Sequence, residues 1–368
     1  MSFKFIALTR PLIGKKEINA VTQVLNSGML TQGQVVSIFE KEFSQYCKVK
    51  YAIACNNGTS ALHIALYSIG LKPGDEVITT PFTFVATANS ILMVGAVPVF
   101  VDIEPFTFNI DTQKIEAAVT KKTKAILVVN LYGQPADYDR ILSIAKKHNL
   151  TVVEDAAQSV GAEYKGKKSG NLADIGCFSF YGTKNITCGE GGMITTNNKH
   201  YYEKSLLFRN HGQDEKKKYF YSDIGYNYRL TDILASIALI QLNKIKTMTK
   251  KRQMIALKYD KILRDVNGIT TPFTAPNRTH VYHQYTIKVT KDFKLKRYAL
   301  KDYLYKKGVQ TNIYYPKPLY EFDHLQVGKK QKSYPITEAV TKECLSLPIY
   351  PALKNSDIDY IIDLIKKI

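Results

Sequence analysis

The sequence predicts an α/β fold, a large mostly parallel sheet domain flanked by helices with a smaller C-terminal α+β domain after it, and three observations carry this. From about residue 50, short β-branched runs alternate with helical stretches. One helical run of unusual length begins near Leu230, and beyond it the pattern turns to mixed strands and helices. A parallel sheet needs this alternation, because each crossover between parallel strands is made by a helix that covers one face. Of 368 residues, 45% are hydrophobic and 23% charged, which fits a globular chain with a sizeable core and excludes a disordered or fibrous one.

In chain order, the runs rich in Val, Ile, Thr and aromatic residues lie at 51–55, 76–79, 97–102, 124–130, 151–155, 175–180 and 192–196. Between them, apolar residues at helical spacing mark 60–69, 83–94, 111–118 and 138–148. The long run starts on Thr231-Asp232, a helix-start pair, and continues to about Leu263. Its length leads us to expect a break or a bridge between two domains around residue 245. The domains are then 1–245 and 246–368, with the N-terminal segment available to pack on the smaller one.

The charge raises the question of partners. The 51 basic and 32 acidic residues leave a net charge of +19, which suits nucleic acid, an anionic membrane surface or a phosphate-bearing small molecule. Lysine supplies 43 of the 51, and lysine is a solvated point charge, not a bidentate reader of bases. Clusters at Lys121-Lys122, Lys146-Lys147, Lys216–Lys218 and Lys329-Lys330 are scattered, so a solvated surface is favoured and no nucleic acid is expected. A basic nucleic-acid-binding regulatory protein is the alternative. Five cysteines form no CxxC pair, which points to a reducing compartment without a disulfide framework, and there is no metal-ligand spacing. With neither a signal-like start nor an apolar run of about 18 residues, a cytoplasmic protein without membrane insertion is expected.

In open α/β sheets ligands bind beyond the carboxyl ends of the strands, which makes Asp102, Asn130 and Asp155 candidates. In the strand-to-helix turn Asn56-Asn57-Gly58-Thr59-Ser60, Gly58 allows close approach of a ligand. Thr59 and Ser60 place hydroxyls beside the free N–H groups of the helix start, where phosphate binds, although a plain helix cap uses the same residue types. In VVEDAAQS, Asp155 ends an apolar strand with Gln158 three residues on. A carboxylate there needs a positive partner, such as a protonated ring nitrogen, unless it is only a cap. In CFSFYGTKNITCGEGG, Ser179 and Lys184 lie in a turn bounded by apolar and glycine-rich sequence. A lysine desolvated in this way is a nucleophile for carbonyls, where a surface lysine is not. Lysine, carboxylate and phosphate cup are the parts that pyridoxal phosphate (PLP) chemistry needs.

The motifs NNGTSALHIAL, GDEVITTPFTFVATANSI, VEDAAQSVGAEYKG, SFYGTKNITCGEGGM, RNHG and GYNYRLTDI resemble the DegT/DnrJ/StrS family. Its members are PLP-dependent aminotransferases that aminate keto groups on nucleotide-linked sugars, and the resemblance runs from about Pro11 to Pro351. It implies that Lys184 forms the Schiff base with PLP, that Asp155 pairs with the pyridine nitrogen and that Gln158 lies near the phenolic oxygen. By the same resemblance Ser179, Thr59 and Ser60 hold the phosphate and Phe84 stacks on the ring. Asn227 reaches the phosphate of a neighbouring subunit, which implies a homodimer with a shared active site. The implied reaction takes L-glutamate as donor and a nucleotide-diphosphate keto-sugar as acceptor, and the amino-sugar nucleotide serves glycan or polysaccharide biosynthesis.

His211 in RNHG, together with Tyr314 and Tyr315, is a candidate for substrate contact, with loop packing and domain contacts as the other reading. Relatives that deoxygenate carry His in place of Lys184, so transamination is favoured over a PLP-dependent lyase or dehydratase of the same fold. GDEVITTPFTF and the GEGGM turn lean toward the 4-keto branch over the 3-keto branch. The family's frequent His after PL is Tyr320 here, and Cys188 reads as a small packing residue.

Overall fold

A computed structural model describes residues 5–214, 217–326 and 333–368, which leaves Lys216, Lys329 and Lys330 of the lysine clusters outside the described residues. The chain opens with helices α1 (Lys15–Ser27) and α2 (Gln34–Cys47). Strands and helices then alternate as β1 (Tyr51–Cys55), α3 (Gly58–Ser68), β2 (Glu76–Thr79), α4 (Ala86–Met93), β3 (Val97–Phe100), α5 (Thr112–Ala118), β4 (Thr123–Val129), α6 (Tyr138–His148) and β5 (Thr151–Asp155). A short hairpin of β6 (Glu163–Tyr164) and β7 (Lys167–Lys168) precedes β8 (Ile175–Ser179), β9 (Gly192–Thr196), α7 (Lys199–Arg209) and α8 (Asp232–Leu263). The remainder is β10 (Ile269–Thr270), β11 (Tyr285–Val289), α9 (Arg297–Lys306), α10 (Pro335–Glu343), β12 (Cys344–Leu347) and α11 (Asn355–Lys366).

Seven strands form one sheet in the order β1-β9-β8-β5-β4-β2-β3. β9 runs antiparallel to β1 and β8, and the other pairs are parallel, so the sheet is mixed with a single reversed strand. Both faces are buried, and the strands accordingly read as apolar runs. The register sets Val129 beside Asp155 and Asp155 beside Cys177, which brings the carboxyl ends of β4, β5 and β8 to one edge. A second, antiparallel sheet, β10-β11-β12, packs with the C-terminal helices.

α8 is one unbroken helix of 32 residues, about 48 Å long at 1.5 Å per residue. Of the two outcomes expected around residue 245, a break or a bridge, nothing forces the break, since the helix contains neither Gly nor Pro. It bridges instead: Ala235, Ala238, Leu242, Ile245 and Met248 pack in the core under α2, and Ile255, Ala256, Tyr259 and Leu263 pack in the core of the second sheet.

Asp232, at the start of α8, also caps α2. Its Oδ1 accepts from the N–H groups of Gly33 and Val36 at 2.9 Å each, and its Oδ2 from Val35 at 3.1 Å. A Cβ on Gly33 would stand 2.8 Å from Oδ2, so glycine is needed for this close approach. Asp232→Ala leaves three donors at the start of α2 without their acceptor. It is expected to lower stability in urea unfolding by about 2–4 kcal/mol.

Candidate active site

The edge formed by β5, β8 and the start of α3 opens onto a cavity of about 780 Å³. Of the three strand-end candidates, only Asp155 lines it. Asp102 lies past the end of β3 and is spent on α10, accepting from the N–H groups of Ile336 (3.2 Å) and Thr337 (3.0 Å) and pairing with Lys114 at 3.4 Å. Asn130 is buried in a polar network, where its Nδ2 donates to Glu154 Oε1 at 2.8 Å. Successive side chains of a strand point to opposite faces, so Glu154 enters this network while Asp155 turns to the cavity. Burial pushes the Glu154 carboxyl up to about 7, against the pull of donors from Gly170, Ser169, Leu172 and Asn130.

Asp155 is buried. Its Oδ2 accepts from Thr87 Oγ1 at 2.8 Å and its Oδ1 from the N–H of Ala157 at 3.2 Å. Burial raises its pKa, opposed by these two bonds and by the charge of Lys184. Lys184 lies five residues beyond the end of β8, on a loop folded back by bonds from Thr187 Oγ1 (3.0 Å) and the Cys188 N–H (3.1 Å) to the carbonyl of Phe180. Its side chain reaches the cavity, while the protein around it desolvates the amine and lowers its pKa to about 8, with Asp155 acting in the opposite direction.

Gly58, Thr59, Ser60 and Ser179 line the same cavity. The helix cap is Asn57, whose Oδ1 accepts from the Ser60 N–H at 2.8 Å, so the hydroxyls of Thr59 and Ser60 belong to the first turn of α3 and are not caps. A Cβ on Gly58 would lie 2.7 Å from Cβ of Ser179, and the missing side chain lets α3 approach the end of β8. Gln158 is held from both sides, its Oε1 accepting from the Tyr132 N–H at 2.7 Å and its Nε2 donating to Tyr315 Oη at 3.2 Å. Tyr314 and Tyr315 line the cavity as well. α4 begins only at Ala86, so Phe84 precedes the helix and stands 56% exposed at the cavity wall, its ring 6.5 Å from that of Tyr315.

The donor set suits one kind of ligand. It offers a helix start with hydroxyls for an anionic group, a buried carboxylate for a cationic ring nitrogen, and an amine of lowered pKa for a carbonyl carbon.

His211 and Asn227 do not line this cavity. Both are exposed and lie together, where the His211 N–H donates to the Tyr226 carbonyl at 3.0 Å and Asn210 pairs with Asn227. Tyr320 also turns away, stacking on Tyr334 with centroids 4.5 Å apart and donating to Glu338 at 3.3 Å. Cys188 is buried with its thiol pushed up by desolvation, which makes it an inert packing residue.

Residues 11–366 match the DegT/DnrJ/EryC1/StrS aminotransferase family. The chain belongs to this family. It is 44% identical over 358 residues to a pleiotropic regulatory protein of Geobacillus stearothermophilus, covering 95% of this chain and 93% of that protein. It is 41% identical to GDP-perosamine synthase of Caulobacter vibrioides, covering 97% and 96%. To UDP-2-acetamido-2-deoxy-3-oxo-D-glucuronate aminotransferase of Pseudomonas aeruginosa it is 40% identical, covering 94% of each. Among solved structures, the PLP form of Spr1654 from Streptococcus pneumoniae, described as a sugar aminotransferase, superposes with a TM-score of 0.93 at 31% identity, covering 99% of this chain and 98% of that one. The aminotransferase therefore has the fold of these sugar aminotransferases, fold type I, over nearly its whole length.

Asn57, Thr87 and His283 are among the wall residues of the aminotransferase that the sequence did not single out. Asn57 carried a signal, since Asn directly before a helix is a preferred cap. Thr87, which holds Asp155 from 68 residues away, and His283, which enters from the segment before β11, carried none.

Proposed function

We propose that the aminotransferase transfers an amino group from L-glutamate to the keto carbon of a nucleotide-diphosphate keto-deoxy-sugar, with C4 favoured over C3, and that PLP binds at Lys184. The observation that carries this is the placing of Lys184, Asp155 and the hydroxyl-lined start of α3 around one cavity. Bound PLP supplies an electron-withdrawing pyridinium ring and carries the amino group between donor and acceptor. The protein's own part is proton handling and orientation. Lys184, near neutrality in its pKa, takes a proton from the donor's α-carbon and returns it at the reacting carbon. Asp155, pinned by Thr87 and Ala157, offers a fixed negative charge to the ring nitrogen. Gln158 would meet the phenolic oxygen of PLP through the Nε2 hydrogen not given to Tyr315, and Phe84 would provide an aromatic face. The 4-keto preference rests on two motifs that both reach the cavity, GDEVITTPFTF through Thr83 and Phe84 and GEGGM through Glu190.

The active form is proposed to be a homodimer. An exposed apolar strip of Tyr219, Phe220, Tyr221 and Ile224 leads into Tyr226 and Asn227, all outside the chain's own cavity, while Phe84, Met93 and Tyr181 are exposed at the rim. A run of exposed apolar residues such as this marks an association surface. A second copy seated there brings Asn227 to the neighbouring cavity.

The purified protein is expected to be yellow and to aminate at least one member of a panel of UDP-, dTDP- and GDP-linked keto-sugars with glutamate. A colourless protein that is inert toward the whole panel and takes up no added PLP would overturn this reading. Gly58→Ala is expected to weaken PLP binding about 10–100-fold in a titration followed by absorbance, because its Cβ forces α3 away from Ser179.

A further inference from the structure

His283 lies in the same cavity wall as Lys184 and has no part in the chemistry above. Its ring is buried, with Nδ1 3.3 Å from Oδ1 of Asn185, the residue next to Lys184. The amide of Asn185 is oriented from its other side, where Nδ2 donates to the carbonyl of Val281 at 3.0 Å. Its oxygen therefore faces the ring, and an amide oxygen only accepts, so Nδ1 carries the hydrogen. A neutral ring in this tautomer has its lone pair on Nε2, the nitrogen left for the cavity. Burial and the charges of Lys184 and Arg252 hold the imidazole well below its usual pKa, which keeps it neutral. The backbone is fixed as well, since Arg252 Nη1 donates to the carbonyls of Tyr282 at 3.0 Å and His283 at 3.4 Å.

We propose that His283 is a positioning residue for Lys184, its Nε2 lone pair accepting a hydrogen from the Lys184 amine whenever that amine carries its extra proton. This rests on Lys184 being the proton-carrying lysine and adds a partner for its charged form. The ammonium sits in a desolvated place, and its charged neighbour Asp155 is engaged once a ring nitrogen is present. A useful second acceptor must orient the ammonium without capturing its proton. A carboxylate adds charge and holds the cation too firmly, whereas a neutral imidazole that resists protonation does neither. Among the described residues, the other titratable groups that line this cavity or act on His283 are Asp155 on β5, Arg252 on α8, Glu190 after the Lys184 loop, and the phenols of Tyr181, Tyr228, Tyr314 and Tyr315.

Capture of PLP by the apoprotein, followed by absorbance against pH, reads the protonation of the amine, because only the free base adds to the aldehyde. His283→Asn keeps a group that reaches Asn185 and removes Nε2; it is expected to move the midpoint down by about half a pH unit or more, the ammonium having lost its acceptor. His283→Gln places an amide oxygen near the position of Nε2 and is expected to stay within about 0.2 unit of wild type. The opposite order, or no shift in either variant, overturns the proposal. Should a variant not fold, nitrogen NMR of the wild-type apoprotein decides. One of the seven histidines is expected to be neutral, protonated on Nδ1, with an Nε2 resonance that responds to a titration near pH 8. The absence of such a ring overturns the proposal. A wild-type apoprotein that captures no PLP at any pH overturns the Lys184 assignment itself, and the His283 proposal with it.

Discussion

Lys184→Ala is expected to abolish turnover, with kcat down by about 10⁴-fold or more, since in the proposed assignment one side chain supplies both the covalent attachment and the proton transfer. The absorbance band of lysine-linked PLP is expected to vanish, while the cofactor is expected to stay bound without a covalent bond through the proposed cup of Thr59, Ser60 and Ser179. Full activity in this variant would sink the assignment. The amine also leaves a signature in the apoprotein. Its folded pKa of about 8 lies below the ordinary 10.5, so between these values the unfolded chain binds more protons than the folded one. Stability must then rise with pH across that window, by at most about 3 kcal/mol for this group, and the contribution is lost as pH falls through 8. Urea midpoints of wild-type apoprotein are expected to climb from pH 8 to pH 10, with the Lys184→Ala midpoints climbing less and lying higher at pH 7.

The parts of the site that the sequence revealed are those where a residue and its purpose are local. Gly58 beside Ser60, or Lys184 within its glycine-rich turn, announces a close approach or a desolvated amine over a few positions. The strand and helix alternation is local in the same sense, since parallel strands buried on both faces must be apolar throughout. What stayed hidden depends on distant partners. Asp102, Asn130 and Asp155 look alike as polar residues ending apolar runs. Their uses diverge only because α10 claims the first, Glu154 the second and the cavity the third. Thr87 and His283 are ordinary residues until the fold sets them against Asp155 and Asn185. The length of α8 was plain, but its continuity turned on the absence of any breaker in a helix that two cores share.

Asp155→Asn separates function from stability more sharply than any other change in the site. The isosteric amide keeps both local bonds, its oxygen accepting from Ala157 and its nitrogen donating to Thr87 Oγ1, whose hydroxyl turns to Thr83 Oγ1 at 3.0 Å. What is lost is the negative charge proposed to hold the ring nitrogen protonated, so kcat is expected to fall by roughly 10²–10³-fold. Apoprotein stability is expected to move the other way. Burial raises the folded pKa of Asp155 above its unfolded value, so its favourable contribution is complete only below the unfolded pKa and is lost as pH rises through the folded one. At pH 7 the wild-type apoprotein holds a desolvated carboxylate that the variant lacks. Urea midpoints of Asp155→Asn are therefore expected to match or exceed wild type at pH 7, with the gap closing toward pH 4. Adding PLP reverses the order, because only the wild type gains an ion pair with the ring. A variant that is less stable than wild type by the same margin at every pH, and equally stabilised by PLP, would make Asp155 a structural cap and return the ring nitrogen to solvent.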